Sequence, residues 1–177
     1  QLSQGDFTLE TWFCTTYGGR GTLMGNFYGS VLGVVNLELF SDNKVRLYLG
    51  TPSSGNIDFS VAPTNVNTRD GQWHHLAGIR HDDTLYLYVN GVEVGTKTIT
   101  TASYALKGDY LYLGRDSRTD VAFKGEMGAA RVWTRALSTN ELAEIVALGV
   151  PGSDALSKDD LLAEYDLHAP FNAHKPG

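Results

Sequence analysis

The segment Leu85-Tyr86-Leu87-Tyr88-Val89-Asn90-Gly91-Val92-Glu93-Val94 alternates apolar and polar positions on either side of an Asn-Gly pair. Asn and Gly tolerate positive φ at both centres of a type I′ turn, whose twist matches two antiparallel strands. A two-residue turn at Asn90-Gly91 pairs Val89 with Val92 and Leu87 with Val94 on one face. Tyr86, Tyr88 and Glu93 then share the other face. Turn chemistry and hydrophobic pattern ask for the same register, so the chain contains antiparallel sheet with at least one buried face.

The same pattern recurs along the chain. Phe7-Thr8-Leu9-Glu10-Thr11-Trp12-Phe13 sets Phe7, Leu9 and Phe13 on one face and Thr8, Glu10 and Trp12 on the other, a half-buried strand. Strands are expected over 22–27, 35–40, 44–49, 57–61, 110–114 and 127–133. Ser41-Asp42-Asn43 joins the second and third of these as a hairpin, since Asp and Asn accept the turn conformations required. Loops fall at 18–21, 51–56 and 65–71, with Pro63 beside the last. Leu161, Ala163, Tyr165 and Leu167 alternate as a closing strand. One helix interrupts this, with Ser138 as N-cap, Glu141 completing a capping box, and Leu137 and Leu142 placed as a hydrophobic staple. Gly149 and Pro151 stop it. At 177 residues the chain holds one core and is short for two. With no repeats or interior linkers, 1–177 reads as a single domain, and the start at Gln1-Leu2-Ser3 suggests one cut from a larger protein.

Several function classes fall away. A formal charge of −6 leaves no basic stripe for phosphates, which disfavours nucleic acid and anionic membranes as partners. Cys14 is the only cysteine, so no intrachain disulfide or cysteine-based metal site can form. No apolar run approaches a membrane span. Glycosidases need paired carboxylates flanking the scissile bond, and no strand offers a Glu-x-Asp series. His74 and His75 are adjacent on an extended segment, point to opposite faces, and cannot chelate one ion together. The scattered serines and histidines define no nucleophilic triad.

Three stretches in order resemble one known family. They are Phe7-Thr8-Leu9-Glu10-Thr11-Trp12-Phe13, then Gln72-Trp73-His74-His75-Leu76-Ala77-Gly78 running into 85–91, and then Leu113-Gly114-Arg115 continuing through Phe123-Lys124-Gly125-Glu126-Met127 to Arg131-Val132-Trp133-Thr134-Arg135-Ala136-Leu137-Ser138. Together they are similar to the laminin-G-like, concanavalin A-like jelly rolls that bacteria attach to secreted carbohydrate-active enzymes and adhesins. The resemblance implies an all-β fold, a two-sheet antiparallel jelly-roll sandwich with one short helix near the C-terminal end. It also implies a secreted or cell-surface location and a non-catalytic carbohydrate-binding module of a glycan-active protein, with a glycan ligand and neighbouring domains as partners. The alternative is a protein-contact, adhesion or structural accessory module.

One departure bears on cofactors. Relatives commonly carry two acidic residues directly after the position of Met127, and acids nearby hold calcium in pentraxins. Here those positions are Gly128 and Ala129, and the loss of two carboxylates argues against calcium there. No cofactor is expected with certainty; a structural calcium using Asp6 or Asp166 stays open.

Candidate ligand-binding residues come from loops and sheet faces. Tyr17, Arg20 and Tyr28 bracket a glycine-rich loop, and Tyr104 lies in another. Arg115, Asp116 and Arg118 form a polar cluster just after a strand, where guanidinium forks can grip carboxylates or vicinal hydroxyls; the other reading is a solvated loop with local Arg–Asp pairs. Trp12, Tyr86 and Tyr88 could line an open sheet face on which sugar rings pack, against ordinary cross-strand pairing. Trp73 and Trp133 sit in family motifs and are expected in the core.

Overall fold

Strand β1 (Phe7–Cys14) is buried on both faces at every position except Cys14. Its alternation therefore separates two different buried environments, not core from solvent. The computed structural model describes residues 5–26, 34–50, 56–99, 110–118, 120–150 and 157–167. Within them the chain continues as β2 (Gly21–Gly25), β3 (Val35–Leu39), β4 (Val45–Leu49), β5 (Ile57–Val61), β6 (Trp73–His81), β7 (Thr84–Val89), β8 (Val92–Thr98), β9 (Tyr112–Leu113) and β10 (Glu126–Trp133). A helix, α1 (Thr139–Leu148), precedes β11 (Leu161–Tyr165). Two antiparallel sheets result, ordered β11-β10-β1-β6-β7-β8 and β5-β4-β3-β2-β9. No helix among the described residues is long and apolar enough to cross a membrane.

The principal core lies between the sheets. Phe7, Leu9, Phe13, Leu76, Leu87 and Val132 from the six-stranded sheet meet Leu23, Leu37, Leu39, Leu47 and Phe59 from the five-stranded one. Gly78 lets them approach closely, because a Cβ there would sit 2.9 Å from Leu37 Cδ1 and 3.1 Å from Leu47 Cδ1. A second cluster covers the outer face of the six-stranded sheet: Ala77, Ile79, Tyr88 and Trp133 pack under Leu137, Leu142 and Ile145 at and before α1. The helix start follows the sequence pattern. Ser138 accepts a hydrogen bond from Glu141 N–H, the Glu141 carboxylate accepts from Ser138 N–H, and Leu137 and Leu142 are both buried. Gly149 closes the helix at φ 78°, its N–H donating to the Val146 carbonyl; Pro151 lies outside the described residues.

The hairpin at Asn90-Gly91 forms with φ of 51° and 76°, and Val89 pairs with Val92. Its register then departs from the expectation. Tyr88 pairs with Glu93, but Leu87 faces Gly95 and not Val94, because a bulge inserts Val94. A Cβ at Gly95 would stand 2.8 Å from Val61 Cγ2 on β5, so the place opposite Leu87 has no room for valine. At Gly91 a Cβ would meet nothing closer than Val146 Cγ2 at 3.5 Å, so Gly91→Ala is opposed by backbone conformation alone. Urea denaturation of that variant should show a loss of about 1–2 kcal/mol, the penalty of a left-handed residue bearing Cβ.

Other boundaries shift. The strand expected over 110–114 shortens to β9, the one expected to 27 ends at Gly25 (residue 27 is outside the described residues), and the closing strand ends at Tyr165. Strand β6 lacks period two in its burial, since His74 through Arg80 are all buried. Of the two tryptophans expected in the core, Trp133 is buried and Trp73 only half-buried.

Candidate functional site

The outer face of the five-stranded sheet carries a dense polar cluster. On β3, Leu37 and Leu39 point into the core, so Asn36 and Glu38 point outward. Register places Glu38 opposite Arg46, Asn36 opposite Tyr48, and Thr22 opposite Glu38 on the other side. Glu38 Oε1 accepts from Arg20 Nη2 at 2.9 Å and Arg118 Nη2 at 3.2 Å, while Oε2 accepts from Arg46 Nη1 at 2.9 Å. Asn36 Nδ2 donates to Glu38 Oε1 and to Asp116 Oδ2, both at 3.0 Å. Thr22 Oγ1 lies 3.3 Å from a carboxylate oxygen of each acid. Arg118 closes the ring through Asp116, and Arg46 turns its second edge to Asp58 in a two-pronged pair of 2.8 and 2.7 Å.

Local chain geometry builds this cluster. Gly114 turns the chain after β9 at φ 70°, and Arg118 N–H donates to Asp116 Oδ1 at 2.8 Å, a side-chain turn two residues long. A side chain at Gly25 would run into the Asn36 amide. Burial pushes the Asp116 carboxyl up, but the hydrogen bonds and charge of Arg118 outweigh it and hold the pKa below the ordinary value. Arg118 is in turn pushed up, first by its hydrogen bond to Asp116. The layering is asymmetric: the side chains of Glu38 and Asp116 are 0% exposed, whereas those of Arg20 and Arg118 are each 29% exposed. Acceptors lie beneath and donors on top.

Aromatic rings flank the cluster. The Arg46 guanidinium stands 4.6 Å from the Tyr48 ring centroid and 5.0 Å from that of Phe40, and Arg20 stands 5.4 Å from Phe40. Arg115 is exposed, 5.7 Å from the Tyr112 ring. Arg69 supports the loop leading into Arg20, donating to the carbonyls of Tyr17, Gly19 and Phe40 at 2.6, 3.0 and 2.6 Å.

Arg20, Asp116 and Arg118 are thus brought together, and Arg115 stands beside them. Tyr17 is elsewhere: it is exposed, with Lys124 Nζ 4.4 Å over its ring. Tyr28 and Tyr104 lie outside the described residues. Within 115–118, Asp116 is buried against the sheet and paired with Arg118, while Arg115 is exposed. Pattern reading missed Asn36, Glu38, Arg46, Tyr48 and Asp58. The signal was available, since a three-residue loop at Ser41-Asp42-Asn43 sets Glu38 directly across from Arg46.

The six-stranded sheet corrects a second expectation. Trp12 and Tyr88 are 6% and 7% exposed, and Tyr86 stacks on Tyr88 in the cluster beneath α1, so these rings form no open platform. Beside them Glu10 accepts from Arg131 Nη1 at 2.8 Å and from His75 Nε2 at 2.9 Å, and Arg131 Nε donates to Glu164 at 2.9 Å. His74 faces the other way, between Asp70 at 2.9 Å and Asn90 at 3.1 Å. The two imidazoles serve separate networks. Of the candidate calcium ligands, Asp6 lies 2.7 Å from His81 Nδ1 and accepts from Asp82 N–H at 2.8 Å, with Asp82 completing the group. A set that includes an imidazole does not fit the six to eight oxygens calcium takes. Gly128 and Ala129 are buried.

A two-sheet antiparallel sandwich bearing one capped helix and a polar sheet face is the architecture of lectin-type jelly rolls. Residues 1–143 match the laminin-G-type family described as the concanavalin A-like lectin/glucanases superfamily, and the chain belongs to that family. No curated protein matches it. Among solved structures, a Bacteroides ovatus protein described as carbohydrate-binding superposes with TM-score 0.70 at 21% identity, over 93% of this chain and 46% of its own. The chain therefore spans less than half of that protein. The CBM40 of the Ruminococcus gnavus IT-sialidase, bound to α2,6-sialyllactose, gives 0.64 at 17% identity over 81% of this chain and 84% of its own. Domains LG4-5 of the mouse laminin α1 chain give 0.59 at 22%, over 76% and 38%. At these identities the likeness shows the shared fold.

Proposed function

We propose that this chain is a non-catalytic carbohydrate-binding module of a secreted glycan-active protein, seating its ligand on the outer face of the five-stranded sheet. The carrying observation is the layered cluster at Glu38, in which buried carboxylates orient guanidinium groups toward solvent between Tyr48 and Tyr112. Sugars offer oxygen acceptors for such forks and apolar C–H faces for flanking rings. Rigid support from below lowers the entropy lost on binding. Structural neighbours described as carbohydrate-binding, or bound to sialyllactose, support this reading. Held beside an enzyme, such a module raises the local concentration of substrate.

The same cluster argues against glycosidase chemistry. Glu38 and Asp116 converge on Asn36 and Thr22, yet both are buried beneath arginines. A general acid needs a raised pKa, and that of Asp116 is lowered. A glycan array followed by calorimetry tests the binding reading. Tyr112→Ala, which removes a half-exposed ring at the margin, should weaken the array-selected glycan about tenfold, or 1.4 kcal/mol. A second reading, protein contact, draws on the exposed Leu162, Tyr165 and Leu167 on and after β11. An array without any bound glycan would favour it.

A further inference from the structure

We infer that the chain carries a second ligand site, apart from the arginine-bearing face: a cleft at the edge of the sandwich that takes an uncharged alkyl chain. Strands β5 and β8 are the end strands of their two sheets and lie on the same side of the sandwich. Lys97 Nζ of β8 donates to the Asp58 carbonyl of β5 at 2.8 Å, and a Cβ on Gly95 would come within 2.8 Å of Val61 Cγ2. There the two edges touch. One residue earlier the bulge inserts Val94, which has no partner across the ladder, and the edges part. The opening between the β7–β8 hairpin and residues 61–66 is a cleft of about 520 Å³, inside the range of about 300–1,000 Å³ usual for small-molecule sites.

The walls of the cleft are aliphatic. Val61, Val66 and Val94 pack at the margin of the inter-sheet core yet are only partly buried, and Val92 is 65% exposed. The core is thus left unfinished here, and an apolar group seated in the cleft completes it. Among the described residues no lysine, arginine, histidine or aromatic ring lines the cleft. Without a ring there is no platform for the C–H face of a sugar, and without a cation nothing offsets the desolvation of an acid. Glu93 is the one ionisable residue. It pairs with Tyr88 on the outer face of the sheet, its carboxylate 3.5 Å from the Tyr88 hydroxyl. Asn90 is spent, since its Oδ1 accepts from His75 N–H and its Nδ2 lies 3.1 Å from His74 Nδ1. Thr64 and Asn65, both exposed, offer uncharged hydrogen-bonding groups at the edge. Aliphatic walls with neutral polar groups at the edge match an alkyl chain ending in a hydroxyl or ether. They reject an ionised head group, whose hydration they do not replace.

The test is methyl NMR on the full chain labelled at valine, titrated with butanol, hexanol and octanol, with hexanoate and hexylammonium, and with methyl and octyl glucoside. The signals of Val61, Val66 and Val94 should shift saturably with hexanol, and affinity should rise about fourfold per methylene from butanol to hexanol. Hexanoate and hexylammonium should each bind at least about tenfold more weakly than hexanol. Octyl glucoside moving the same signals, with methyl glucoside leaving them still, marks the alkyl tail of a glycoconjugate as the source of the chain. Octyl glucoside shut out while octanol enters marks a free amphiphile. Val94→Trp should fill the cleft and remove the shifts. Val92→Asp, at an exposed position, should weaken hexanol about tenfold with the urea midpoint little changed, and it carries the test where Val94→Trp does not fold. Equal affinity for hexanol and its two charged counterparts overturns the ligand class. Affinity independent of chain length, or binding untouched by Val92→Asp, overturns the site. Self-association of the chain that is abolished by Val92→Asp gives the cleft to a second copy and likewise overturns it. None of these readouts depends on glycan binding at the arginine-bearing face, so either reading can fail alone.

Discussion

Arg131→Met is expected to lower the melting temperature by on the order of 10 °C. Arg131 is 1% exposed and Glu10 0% exposed, on the outer face of the six-stranded sheet. Removing the guanidinium leaves Glu10 charged, sealed and held only by His75, and stranding one partner of a buried ion pair costs about 3–5 kcal/mol. At this chain length each kcal/mol shifts the transition by about 2–4 °C. Glu164, the second partner of Arg131, keeps Lys158 at 3.1 Å and is less exposed to the loss. The double variant Glu10→Leu/Arg131→Met should recover much of the stability, since apolar residues of similar volume replace such pairs without leaving a charge unmatched. A double variant no more stable than the single one would show that the network's geometry, not its charge balance, holds β10 to β1.

Acid should act on the same pair. Burial pushes the Glu10 carboxyl up, but the hydrogen bond and charge of His75 and the charge and hydrogen bond of Arg131 together hold its pKa below the ordinary value. A carboxylate depressed in the folded state contributes stability that is fully present above its unfolded pKa and is lost as pH falls through the folded one. Stability measured by urea at stepped pH should therefore fall on acidification below the ordinary glutamate range. Glu10→Leu/Arg131→Met should flatten that limb.

Glu38→Leu carries the second large effect, and it strikes binding as well as folding. Glu38 is the shared acceptor of Arg20, Arg46 and Arg118. Its removal leaves the three guanidinium groups unequally placed: Arg118 keeps Asp116, Arg46 keeps Asp58, and Arg20 loses its carboxylate. Destabilisation of about 3 kcal/mol or more is expected from an uncompensated charge beside an apolar replacement. Glu38→Gln preserves an acceptor and should destabilise less, yet it no longer holds Arg20 by charge. Calorimetry should show glycan affinity reduced at least tenfold for both variants, with urea denaturation separating them. Full affinity in Glu38→Gln would mean that the arginines do not depend on Glu38 for their position.

The contrast between these two networks shows what was legible in the chain. Asn90-Gly91, the Ser138–Glu141 capping box and the alternation of β1 are local signals, each decided by residues a few positions apart, and each is realised. The register of the second hairpin was equally local and sets Glu38 against Arg46. The covering of β1 was not local. Thr8 Oγ1 donates to the Arg135 carbonyl at 2.9 Å and accepts from Leu137 N–H at 3.0 Å, bonds that span 127 and 129 residues. Such contacts bring the segment leading into α1 over Thr8, while α1 itself packs with Ala77, Ile79 and Tyr88, and nothing near Thr8 announces it. Val94 was likewise misplaced because the residue that excludes it, Val61, belongs to the opposite sheet.

Side-chain alternation and turn chemistry, which act over a few bonds, determined that this chain forms antiparallel strands, where they reverse, and where its helix begins. Only the tertiary structure decided which faces are open. A β-strand presents two faces of equal standing, and burial depends on what the rest of the chain lays across each. The helix closes the face where aromatic rings suggested a site, and the five-stranded sheet turns its arginines outward over Glu38.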